Sequence, residues 1–345
     1  MKRFILLFLP VLFVVMNLQG STNCVFVTVG SMQTLQASCT TDASLVVPDG
    51  FTMNLNGFTI TASDPPGDHF RGGVVQKYGG TANVTNGTIT VSTLADVCDG
   101  GADRLRGVLF DGASGFITNL KILNIHQGPV LSGCQEGNGI EVRNFGTSPA
   151  TVSAFINANT VSGYQKTGIV VNGDSHGSVT NNTVSGFGPQ NYLAQNGIQI
   201  GFGATAQVKK NTVSGNSYTG SSTVSGGILV VAGPFYGSNY SVGDQIDGNI
   251  VTGNDVGVWL SQIDGLGNPP ATQTNIKVVN NTITNSAVNN GLVYQAGVAD
   301  QGNNDKIINN KISGLGYNPA TLPGSTFYVD ADVSFTNRPK VHANR

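Results

Sequence analysis

Charge is scarce in this chain. Only 10% of its 345 residues are Asp, Glu, Lys or Arg, 17 cations against 19 anions. With no basic patch and no alternation of basic and aromatic residues, a nucleic-acid partner is not expected. Helical patterning is missing as well, since apolar residues nowhere recur with a period of 3.6. Four His and no Cys-x-x-Cys pair argue against a zinc site. Gly and Pro, at 47 and 13, are too few for a collagen-like or disordered chain. What remains is rich in Val, Ile, Thr, Ser and Asn, the composition of short strands and turns.

Residues 1–20 read as a signal peptide. Lys2 and Arg3 precede the apolar "FILLFLPVLFVV", which is shorter than a spanning helix and contains Pro10. Export followed by cleavage predicts a secreted or periplasmic protein with no membrane segment of its own. Removing two cations and no acid moves the formal charge from −2 to −4. In that compartment the four cysteines are expected as disulfides. Of three possible pairings, Cys24–Cys39 with Cys98–Cys134 closes the shortest loops.

Two motifs recur in strict alternation. One ends in Asn followed by a short β-prone run: "INANTVSG" at Ile156, "VTNNTVSG" at Val179, "VKKNTVSG" at Val208, "IDGNIVTG" at Ile246, "VVNNTITN" at Val278 and "IINNKISG" at Ile307. The other begins with Gly and an aliphatic residue, at Gly107, Gly139, Gly168, Gly197, Gly227, Gly257 and Gly291, spaced 29 to 34 residues apart. A unit of this length with three short strands and no helix suits one coil of a parallel β-helix better than a four-stranded propeller blade. The column Asn159, Asn182, Asn211, Asn249, Asn281 and Asn310 is then expected as a ladder of stacked amides at a tight bend. Asn also tolerates left-handed backbone angles there. Leu120 replaces Asn in the preceding coil and should end the ladder.

Over residues 40–335 this pattern resembles the right-handed parallel β-helix proteins of the pectin lyase-like superfamily, with "VVPDGFTMNLNGFTI" similar to their opening coil. The resemblance implies an all-β solenoid of about ten three-strand coils as a single domain over 21–345. Its N-terminal region would be disulfide-braced, and Ser325–Pro339 would cap the open end. It also implies that any polysaccharide would lie along the Gly-initiated first strand, between the loops that feed it.

Alternation along "G-I-x-V-x" points the third and fifth residues outward. The fifth positions then align Lys77, Asp111, Arg143 and Asn172, and the third positions bring Glu141, Gln199 and Trp259. Neighbouring loops add His126, Glu136, Tyr164, Lys166, Tyr192, Gln195 and Tyr218. Rings, amides and a few charges together suit a sugar cleft.

Familiar catalytic signatures are absent. "GDSHG" places Asp174, Ser175 and His176 in a row, where they diverge and cannot form a triad. "DGGADRLR" lacks the alternating acids of a calcium loop. The adjacent Asp pair and Gly-His-Gly of polygalacturonase-like hydrolases do not occur, nor do the Trp-x-Asp-His and Arg-x-Pro-x-x-Arg patterns of pectate lyases.

The remaining chemistry is C5-proton removal from a uronate by Lys166 or Arg143, with Lys the easier base. Glu136, Glu141 and Asp111 would supply oxygens for calcium. A hydrolase would instead pair Asp111 with Glu141. Two classes follow: a carbohydrate-binding or -modifying protein, with uronate lyase or epimerase its most concrete form, or a non-catalytic adhesin-like spacer. Sequons stand at Asn83, Asn86, Asn181, Asn239 and Asn280.

Overall fold

The computed structural model describes residues 21–128, 132–146, 151–288, 290–321, 329–331 and 340–344. The segment expected as a signal peptide and most of the expected Ser325–Pro339 cap lie outside them. Its strands wind into a β-helix. A ten-stranded sheet runs from Leu45–Val46 to Val329–Ala331, so part of the expected cap continues the solenoid as a tenth strand. The other two faces form one twenty-stranded sheet that folds at a bend into a second and a third face. All pairings between successive coils are parallel; Phe26–Val29 with Met32–Leu35 makes an antiparallel hairpin at the N-terminal end.

The core follows from strand alternation. On the first sheet Ile140, Ile169, Ile198, Ile228 and Val258 stack in register, each fully buried. The second face contributes Ile156, Val179, Val208, Ile246, Val278 and Ile307, and the third Val161, Val184, Val213, Val251 and Ile283. Like sits on like, so each coil presents the next with the same β-branched surface, at a strand spacing of about 4.8 Å.

The Asn column is a ladder. Each Asn Nδ2 donates to the next Oδ1 at 2.9–3.0 Å from Asn159 to Asn310. Each also donates to a carbonyl across the bend, as Asn211 does to Val179 O at 2.9 Å. Leu120 takes the preceding place, and its N–H donates to Asn159 Oδ1. A further rung, Asn344, receives Asn310 Nδ2 at 3.0 Å.

One expectation is corrected. The left-handed angle belongs to the residue before each ladder Asn, as at Asn181, Lys210 and Asn280 with φ of 56°, 56° and 59°. The ladder position selects Asn for its paired donor and acceptor, not for its backbone freedom.

The Gly-initiated strands have their own column. A Cβ on Gly139, Gly168, Gly197, Gly227 or Gly257 would lie 2.5–2.7 Å from the carbonyl oxygen of the matching Gly in the next coil. Only glycine permits that approach. The last of these contacts is to Gly297, which overturns the assignment of Gly291 as a strand start. The strand is Ala296–Asp300, with Val258 opposite Val298. Gly291 and Val293 lie in the preceding turn, and Gln295 is buried just before the strand. Disulfides join Cys24 to Cys39 and Cys98 to Cys134, as the shortest-loop pairing expects.

Candidate functional site

The strands of the first sheet bring several expected residues together, but as a brace. Arg143 meets Asp111 at 2.7 Å on the adjacent coil. Arg106, which the sequence reading passed over, enters its strand one residue before Gly107 and binds Glu141 at 2.5 Å, both side chains being buried. The turn Gly101–Asp103 lies over this face. Gly101 O accepts from both Arg106 (2.9 Å) and Arg143 (3.1 Å). Buried ion pairs of this kind lock a loop, even with Arg143 Nε left without a hydrogen-bond partner; they do not leave a carboxylate ready for acid–base work.

Glu136 is buried beside them and accepts the backbone N–H groups of Leu105 (2.6 Å) and Asp99. Burial outweighs those bonds and raises its pKa. The three acids expected to share calcium are thus each engaged separately. No group of three or more potential metal ligands occurs among the described residues.

Lys77 is displaced from the expected line by one residue. It stands opposite Phe110, and Tyr78 takes the place opposite Asp111. Its ammonium lies 3.3 Å from Asp49. The shift arises because Gly73 stands opposite Arg106, one place before Gly107, so spacing counted from the glycine inverts the faces.

Several loop residues hold the scaffold. Tyr164 is fully buried and donates to Asn216 Oδ1 at 2.6 Å, with burial pushing its phenol far above the usual range. Gln195 donates to the carbonyls of Tyr164 (2.5 Å) and Gln165 (3.1 Å). Asn172 accepts from Gln199 at 3.2 Å. Trp259 packs on a small apolar cluster of Val224, Val256, Ala296 and Ala299 and points its N–H to Gln301. Half-buried Tyr192, its pKa pushed up to about 12 by burial, and Tyr218, 3.5 Å from Ser222 Oγ, remain near the surface.

Lys166 is different. It is half-buried, carries no carboxylate partner among the described residues, and donates to Ala194 O at 2.8 Å. Enclosure of the ammonium, helped by the charge of Arg104, lowers its pKa to about 8. A change of protonation near neutral pH is therefore available to Lys166.

The open cleft lies where the first sheet turns into the second. Asn144 and Gly173 are in register at the ends of adjacent strands. Gly173 has φ of 69°, and a Cβ there would lie 2.2 Å from Asn144 O and 3.1 Å from the ring of Phe145. Its bare backbone lets Phe145, 58% exposed, lean toward Phe202, with ring centroids 6.1 Å apart and planes at 69°. The loop Pro234–Asn239 forms the far wall and exposed Asp174 the rim, enclosing about 670 Å³. Phe145 and Phe202 follow the first strand within two residues of its fifth position. That recurrence was the available signal, and no motif contains it.

The fold defines the class: residues 106–327 match the family model of the right-handed β-helix region, and the chain belongs to that family. Among solved structures it is similar to the Dettilon tailspike protein, with 19% identity and a TM-score of 0.52 over 91% of this chain. It spans 63% of that tailspike's length. The periplasmic alginate epimerase AlgG aligns at 13% identity and TM-score 0.43, over 89% of this chain and 78% of its own. The AlgE6 A-module, a mannuronan C-5 epimerase of Azotobacter vinelandii, aligns at 15% and 0.33, over 91% and 88%. These likenesses are of fold. No curated protein matches this chain.

Proposed function

We propose that the protein binds glycans outside the cytoplasm, in the cleft walled by Phe145, Phe202 and the Pro234–Asn239 loop. The carrying observation is that pair of accessible rings beside the open backbone of Gly173, with Asp174, Ser238 and Asn239 at the edges. Sugar C–H faces stack on rings while hydroxyls take up amide and carboxylate partners, which suits a cleft of this mixed character. Two disulfides agree with that compartment. A glycan array probed with wild type and with a Phe145→Ala/Phe202→Ala double variant tests it. Specific signals should appear with the first and vanish with the second. Equal signals, or none on a broad array, sink the reading.

A second reading rests on Lys166. An amine with a pKa near 8 beside the cation of Arg104 has the parts to remove a C5 proton from a uronate and neutralise its carboxylate. Incubating the mature protein with uronate polymers, with and without calcium, should then give unsaturated ends or an altered sugar composition, lost in Lys166→Met. The absence of any change with wild type would leave glycan binding as the activity.

A further inference from the structure

We propose that the C-terminal rungs of the second sheet's outer face form a separate binding track for an acidic polysaccharide. Gln207, Gln245, Lys277 and Lys306 occupy one register position on successive strands. Their chain neighbours Val208, Ile246, Val278 and Ile307 are fully buried, so by alternation this position faces outward. Lys277 is exposed and Lys306 half-buried. Lys209 borders the column, and Lys311 stands exposed on the adjoining third face, opposite Thr282.

Lysines one strand apart, at about 4.8 Å, repel each other and weaken a sheet unless an anion intervenes. Within the first-sheet strands the chain avoids that: Lys77, Arg106 and Arg143 each meet a carboxylate. Among the described residues, Lys209, Lys277, Lys306 and Lys311 have no carboxylate within 4.0 Å. Asp247, the acid on this face, is held by Asn280 Nδ2 at 3.0 Å.

A ligand for such a track is linear and carries one negative charge per unit, each unit about the length of a coil repeat. A polysaccharide with a carboxylate or sulfate on each sugar meets that description. Gln207 and Gln245 continue the column as amides suited to hydroxyl groups. A single-stranded nucleic acid would call for stacking rings beside the cations. Here the flanking row runs Lys209, Asp247, Val279 and Ile308, with no ring in it.

The test is retention of the mature protein on immobilised polygalacturonate, neutral dextran and single-stranded DNA across a salt series. Wild type should be held by polygalacturonate, released by salt and not retained by dextran. Lys277→Gln/Lys306→Gln should bind at least ten-fold more weakly with a shallower salt dependence, as loss of two counterion-releasing contacts requires. In the Phe145→Ala/Phe202→Ala background, where the cleft is disabled, the lysine substitutions should weaken polygalacturonate retention by the same factor, which separates this track from the cleft. Undiminished binding by the lysine variant with its thermal transition unchanged overturns the proposal. So does equal retention of the phenylalanine variant on dextran and polygalacturonate, its tighter retention on DNA, or a lysine effect that disappears in that background.

Discussion

The coil has two bends that solve one problem differently. Between the second and third faces the chain turns on a single Asn, repeated from Asn159 to Asn344, and every rung uses the same bonds. Between the first and second faces no residue repeats, and the turn ranges from Gly173–Asp174 to the long stretch 233–244. There the backbone is satisfied one coil at a time. Asp244 accepts Ala206 N–H at 2.6 Å, and Asp305 accepts Ile276 N–H at 2.7 Å. An amide both donates and accepts, so it stacks without limit. A carboxyl group cannot pass the bond on in the same way. The regular bend therefore carries stability, and the irregular one is free to vary in length and hold a cleft.

The strongest break of this contrast is Asn211→Ala. It removes the acceptor of Asn182 N–H and the donor to Val179 O in a fully enclosed bend. Each orphaned buried group costs roughly 1–3 kcal/mol, so the loss should be about 2–6 kcal/mol. Chemical denaturation followed by circular dichroism measures it. A loss below about 1 kcal/mol would mean the ladder is ornamental.

At the irregular bend the expected signature is pH dependence. Burial pushes the Asp244 carboxyl from its ordinary 3.8 up to about 7, against the opposing bond from Ala206 N–H. A raised folded pKa means that its contribution is complete below pH 4 and is lost as pH rises through 7. A shift of about three units corresponds to roughly 4 kcal/mol over that window. Asp244→Asn should flatten the stability profile between pH 4 and 7 and raise stability at pH 8. An unchanged slope would assign the titration elsewhere, Asp305 being the next group, since burial and the charge of Asp300 raise it as well.

What the sequence disclosed follows the same division. The Asn and Gly columns are legible because identical contacts recur at each coil and impose identical residues. The pairing of Cys24 with Cys39 and of Cys98 with Cys134 is legible from loop length. Lys77 was misplaced by a one-residue offset at its strand start, and Gly291 was mistaken for Gly297 because both precede β-prone residues. The brace over Asp111, Glu141 and Arg143 was illegible because its cover, Gly101–Arg104, is remote from Arg143 in sequence. The lysine column stayed hidden because Lys277 and Lys306 lie 29 residues apart.

The smallest expected effect on the fold, and the sharpest on function, is Phe202→Ala. Phe202 is half-buried at the irregular bend, outside the stacked core, so truncation should cost about 1 kcal/mol or less of stability. Glycan affinity should fall about ten-fold, since the ring supplies one wall of the cleft and stacking contacts of this kind contribute on the order of 1 kcal/mol. Isothermal titration with a ligand found on the array, beside a thermal melt, separates the two. Unchanged affinity with lowered stability would place Phe202 with the ladder residues, as scaffold. Lowered affinity with an unchanged melt would show that the bend without a repeating residue is where this β-helix differs from a bare spacer.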